Sequence, residues 1–184
     1  MTQDNAVNTA VTLPLAPGQW TFDPLHSAVN FTIRHLGIAK VRGRFREVSA
    51  ELYVGATAGG TRVSAEIALA SLDTGNADRD AHTLSADLLD VEKRPTMRFR
   101  STRVSGAGQD WSMEGELTIG EVTRPVTLAV EFGGLGDFDG SRHAGFEATG
   151  EIRRSDFGLD FGGGLLGDAV KIQLDMEFVE PVGV

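Results

Sequence analysis

Four histidines, a run of carboxylates and one serine–histidine pair are the groups through which this chain could do chemistry. His26, His35, His82 and His143 are too far apart for the short ligand spacing of a helical His-x-x-x-His site, so no metal ligand set is expected. Asp78, Arg79, Asp80, His82, Asp87 and Asp90 fall close together and offer the paired carboxylates of a glycosidase, or Asp80 with His82 as an acid–base pair. The same residues suit the first turn of a helix, where acidic side chains offset the dipole and Arg79 with Asp80 can tie the helix to its surroundings. Ser27 adjoins His26, but neighbours on a strand point to opposite faces and do not share a proton. Gly162-Gly163-Gly164 lacks the lysine and the strand-to-helix setting of a phosphate loop and reads as a loop beside the last strand. Arg153 and Arg154, close to Phe157 and Phe161, put a planar donor fork beside aromatic rings, a rim that suits an anionic or quinone head group. No catalytic residue is assigned.

These groups must be positioned by strands. From Trp20 onward apolar residues recur with period two, interrupted by turn residues. Val29, Phe31, Ile33 and His35 share one face; Ala28, Asn30, Thr32 and Arg34 share the other. The run from Lys40 to Val54 changes phase near Glu47-Val48, as a β-bulge would make it do. Further runs begin near Val63, Met97, Trp111, Val126, Ala144 and Val170, which makes eight strands in all. The exception is Asn76 to Leu89, where Leu84, Leu88 and Leu89 follow Asp78 and Asp80. This predicts one short helix near residues 77–89, stopped by Lys93-Arg94-Pro95. The fold class is all-β, eight-stranded and antiparallel, with one domain over residues 18–181 and a disordered segment over 1–17.

Composition narrows the partners. With 17 Lys plus Arg against 26 Asp plus Glu the formal charge is -9, which opposes binding to nucleic acid. No stretch reaches the roughly 18 consecutive apolar residues of a membrane-spanning helix. Cysteine is absent, so thiolate chemistry and disulfides are excluded. The opening residues lack Lys, Arg and a long apolar run, and read as a cytoplasmic lead-in. A homodimer is the assembly suggested by a polar outer face with unevenly closed strands.

Eight strands with one apolar face close into a barrel or stack as a sandwich, and a barrel of this size is either filled by side chains or holds one small ligand. Inward Phe31, Phe45, Phe99 and Phe146 alternate with Gly43, Ala65, Gly115, Ala148 and Gly150. Small residues would leave room and aromatics would line it, but the same alternation also fits a filled, tapering core.

The segment Gln19-Trp20-Thr21-Phe22-Asp23-Pro24-Leu25-His26-Ser27, followed by Phe31 and by His35-Leu36-Gly37, resembles the opening of the YceI-like family of polyisoprenoid-binding proteins. Ala70 to Thr74 with Arg79 to His82, Leu84 to Asp87, Gly115 to Ile119 with Val122 to Val126, and Arg154 to Gly158 agree in order over about residues 19–179. The resemblance implies a lipocalin-like barrel that binds, stores or transports a long isoprenoid-type lipid. The residues hold no complete catalytic constellation, so no enzyme is expected; the alternative is a hydrolase or isomerase acting on a lipid-like substrate, with His35 or the Asp80–His82 pair as acid–base groups. Such a lipid, polyprenyl, polyprenyl phosphate or quinone, is the expected ligand, with no other cofactor. Phe31, Ile33, His35, Phe45, Ile67 and Leu69 are then expected around it, with Phe99, Met113, Leu117 and Phe146. Ile172 and Leu174 complete the channel, and Arg154, Phe157 and Phe161 its rim.

Overall fold

A computed structural model describes residues 11–182. The period-two runs become eleven strands: β1 (Gly18–Phe22), β2 (Ala28–His35), β3 (Ala39–Phe45), β4 (Val48–Val54), β5 (Arg62–Ala68), β6 (Leu72–Asp73), β7 (Thr96–Ala107), β8 (Asp110–Ile119), β9 (Val122–Phe138), β10 (Ser141–Arg153) and β11 (Leu166–Val179). The first six are three staves, each broken once. β1 and β2 are parted by the Asp23–Ser27 corner, β3 and β4 by Arg46-Glu47, and β5 and β6 by a single 3-10 turn at Leu69–Ser71. β4 lies between β1 and β5, while β3 lies between β2 and β6. β11 closes the ring by pairing with β1 at Thr21↔Val179 and with β2 at Phe31↔Ile172. Counted by stave, the ring has the eight antiparallel members that the sequence predicts, and closure removes the open edges on which sheets aggregate. The phase slip expected near Glu47 is the break between β3 and β4.

One helix, α1 (Ala77–Leu84), follows β6. Asn76 caps it by accepting from the Arg79 N–H at 2.9 Å. It ends five residues short of the expected Leu89, and Pro95 is not what stops it. Ser85 leaves helical geometry, its Oγ donates to the His82 carbonyl at 2.7 Å, and turns carry the chain onward. Thr74 anchors the start of the segment: Asp80 accepts from its N–H at 3.0 Å, and Arg79 donates to its Oγ1 at 2.7 Å and its carbonyl at 2.8 Å.

The barrel has two unlike ends. At one, Trp20, Val54, Trp111, Phe132 and Phe178 pack with Leu15 into a closed plug. The Trp20 indole donates to the Ala16 carbonyl at 2.9 Å, and the Ala58 N–H to that of Val11 at 2.8 Å. Disorder was the expectation for residues 1–17; among residues 11–17 Leu15 is buried and Leu13 partly so, and these two pack against the barrel base. Residues 1–10 lie outside the described residues. At the other end stand the β2–β3 turn, α1 and the segment from Arg154 to Leu166.

Candidate functional site

Between the plug and the open end runs a cavity of about 570 Å3, so the centre is not filled by side chains. Every strand except the short β1 contributes to its wall through its inward phase. Phe31, Ile33, Phe45, Ile67, Leu69 and Phe99 line one side; Met113, Leu117, Phe146, Ile172 and Leu174 line the other. Phe161, His35 and Arg154 reach it at the open end. Phe157, expected at the rim, does not. It is 2% exposed and packs inside the wall beside Leu69, Leu117 and Leu159, because a 3-10 turn at Arg154–Phe157 swings it off the strand phase.

The interior glycines do not act as expected. Gly43 faces Phe31 across β2–β3, and a Cβ there would collide with the Phe31 ring; one at Gly115 would collide with the Phe99 ring and come within 2.7 Å of the Arg100 carbonyl oxygen. At Gly150 it would meet Leu128 Cδ2 at 2.6 Å. The glycines are seats in which larger neighbours lie flat against bare backbone. The lumen stays open because the rings are folded into the wall.

The open end carries the polar groups of the site. Arg79, His82 and Thr83 of α1 and His35 at the end of β2 reach the cavity there, along with Leu88, Leu89 and Leu165. Among the described residues neither the His35 nor the His82 ring has a hydrogen-bond partner, and Asp80 is turned to Thr74 rather than to His82. Arg154 is buried and its fork is committed to backbone. It donates to the carbonyls of Leu159, Leu166 at 3.1 Å and Gly167 at 2.9 Å, and its guanidinium carbon lies 5.0 Å from the Phe161 ring centroid. It clamps the loop at the mouth. Sequence reasoning missed the helix residues Arg79, His82 and Thr83 as lining groups, and Leu13 to Leu15 as the base. The apolar Leu13 and Leu15 in the polar opening segment were the only signal.

A second cluster sits at the Asp23–Ser27 corner. Asp23 accepts from His26 Nδ1 at 2.8 Å, and His143 Nδ1 pairs with Glu177 at 2.7 Å. The Asp23 N–H donates to the Glu177 carbonyl and the Glu177 N–H to Ser27 Oγ, both at 2.9 Å. The hydrogen bond to His26 holds the Asp23 carboxyl below its usual range, and the same bond raises the His26 imidazole. Asp23, His143 and Glu177 could offer ligand atoms within 4.8 Å of one another. The bonds they already make fasten the corner where β11 changes partner from β1 to β2. His26 with Ser27 makes no nucleophile pair.

Comparison with known proteins places these features in a family. A YceI-like domain model matches residues 20–178. A UPF0312 protein of Enterobacter sp. (strain 638) is 38% identical over 157 residues, covering 84% of this chain and 82% of its own. The crystal structure of the Campylobacter jejuni YceI protein superposes with a TM-score of 0.73 at 31% identity, over 82% of this chain and 91% of that one. A polyisoprenoid binding domain from Saccharophagus degradans shares the fold, with a TM-score of 0.66 at 15% identity over 90% of this chain and all of its own. No helix among the described residues is long and apolar enough to cross a membrane.

Proposed function

The chain belongs to the YceI-like family, and from that premise we propose that it carries a long isoprenoid-type lipid, polyprenyl, polyprenyl phosphate or quinone, inside the barrel. The single observation behind this reading is the cavity of about 570 Å3, closed at its base and walled almost wholly by apolar side chains. That size falls in the usual range of about 300–1,000 Å3 for ligand pockets. A chain entering it leaves water, which contributes roughly 0.8 kcal/mol per buried methylene before ordering costs. Affinity therefore needs few polar contacts. The Saccharophagus domain with the same fold is described as binding polyisoprenoid, which agrees with this reading.

The lipid tail points to the Trp20–Trp111 base and the head stays at the mouth, where His35, Arg79 and His82 supply donors. Arg154, its fork spent on carbonyls, supports the mouth instead of reading the head group. Carriage without turnover fits the same geometry, since Asp80 and His82 do not form an acid–base pair. Solvent extraction of freshly purified protein followed by mass spectrometry should yield a prenyl chain, recovered chemically intact after prolonged incubation. An empty protein with no measurable affinity for prenyl or fatty chains would defeat the proposal.

A further inference from the structure

The mouth ends in an apolar tip that the fold leaves uncovered. Leu36 is 50% exposed, Ile38 82% and Leu165 54%, and the Leu36 N–H donates to the Leu165 carbonyl at 2.7 Å, so the two loops project together. Leu36 and Leu165 adjoin His35, Leu166 and Gly162, which line the cavity.

Two local tensions sit here. Leu36 has φ +54° and is followed by Gly37 at +72°, the positive pair that a tight hairpin turn demands and that asparagine and glycine satisfy without strain. A leucine in that conformation is unfavourable, and half of this one stays exposed. Below the turn, Arg34 and Lys40 are directly opposed on the outward face of β2–β3, an arrangement of like charges that weakens a strand pair. Neither tension helps the barrel fold.

Charge selects the occupant. Between Asp23 and Glu47 every charged residue is basic, in a chain of formal charge -9. Arg44 and Arg46 pair with Asp73, whereas Arg34, Lys40 and Arg42 are exposed and have no carboxylate within 4.0 Å among the described residues. Two other strongly exposed apolar residues lack this setting: Phe138, 71% exposed, lies directly between Asp137 and Asp139, and Leu25, 88% exposed, follows Asp23 by two residues.

We propose that Leu36, Ile38 and Leu165, collared by Arg34, Lys40 and Arg42, dock the barrel mouth on a bilayer surface rich in anionic head groups. Apolar side chains enter the head-group boundary while cations meet lipid phosphates, the pairing by which peripheral proteins hold a membrane. The proposal rests on lipid carriage for its purpose, since docking brings the cavity mouth against the layer from which a lipid chain is taken up.

Co-sedimentation with vesicles tests it. The parent protein binds vesicles of equimolar phosphatidylcholine and phosphatidylglycerol at low salt, and binds phosphatidylcholine alone weakly. Binding falls as ionic strength rises from about 0.01 M to 1 M, which shortens the screening length from roughly 30 Å to 3 Å. L36N/I38T weakens adsorption by about tenfold or more, from the apolar area lost. R34E/K40E does so on the anionic vesicles, and F138S, at the far end of the barrel, binds as the parent does. Asparagine is at home at positive φ, so L36N/I38T melts no lower than the parent and its loss is not one of folding. Uptake of a soluble fluorescent fatty acid without vesicles reads the cavity separately. If uptake fails while vesicle binding holds, lipid carriage is wrong and docking stands. A parent that stays in the supernatant, tip variants that bind undiminished, or a tip that only joins two copies of the chain would each overturn docking.

Discussion

Gly43 and Gly115 occupy equivalent seats in the wall, but what stands behind them differs. A methyl group at Gly43 meets the far end of Phe31 and, at 3.0 Å, the Thr74 methyl, both side-chain atoms that can move. One at Gly115 meets the Phe99 ring and also the Arg100 carbonyl at 2.7 Å, and backbone does not give. Gly115→Ala should therefore cost about 1–3 kcal/mol, the usual range for overpacking. At about 2–4 °C per kcal/mol for a chain of this size, thermal unfolding will show it. Gly43→Ala should melt close to the parent yet hold less lipid, because the displaced Phe31 ring has only the lumen to enter. Lipid recovered per mole of protein decides the matter: a full load in Gly43→Ala would mean that the ring found room elsewhere. The period-two pattern displayed these rings and glycines in the sequence. That they nest together was not legible, since Phe31 and Gly43 meet only through the β2–β3 register.

At the scale of elements, the mouth is bordered by α1, which buries none of its residues and is tied mainly through Thr74. Its stability comes from its cap and those bonds rather than from packing. Asn76→Ala removes the cap and should weaken the helix by about 1 kcal/mol. Because so little of the barrel depends on α1, the expected result is faster hydrogen exchange over residues 77–84 and faster exchange of a bound fluorescent lipid, with the melting temperature almost unchanged. A fall in melting temperature as large as that of Gly115→Ala would instead make α1 part of the core. The helix was legible from Asp78, Asp80 and the leucines after them. Its end was not, because the side chain of Ser85 takes the His82 carbonyl locally while the leucine spacing continues to Leu89. Phe157 was misplaced for a related reason: nearness in sequence to Arg153 and Arg154 ignores a turn that is set by Arg154 reaching across to Gly167 and Leu166.

For the whole molecule, eight alternating runs fit a barrel and a sandwich alike, and the closure depends on β11 serving two partners, with Thr21↔Val179 and Phe31↔Ile172 joining residues about 140 or more positions apart. No local pattern marks such a seam. The cavity follows from the same closure, and so does its thermodynamic consequence. A barrel with an apolar lumen packs fewer atoms against one another than a filled one, so lipid that occupies the lumen supplies the missing contacts to the folded state alone. Ligand at 100 times its dissociation constant then contributes about 2.7 kcal/mol. Stripping the lipid should lower the melting temperature by roughly 5–10 °C at the sensitivity expected for this size. Adding a prenyl alcohol back should restore it in proportion to its logarithmic concentration, while a water-soluble alcohol of the same head group should not. Calorimetry before extraction, after it and on reloading gives the three curves. Identical curves would mean that the lumen gains nothing from its occupant, and lipid carriage would lose its energetic basis.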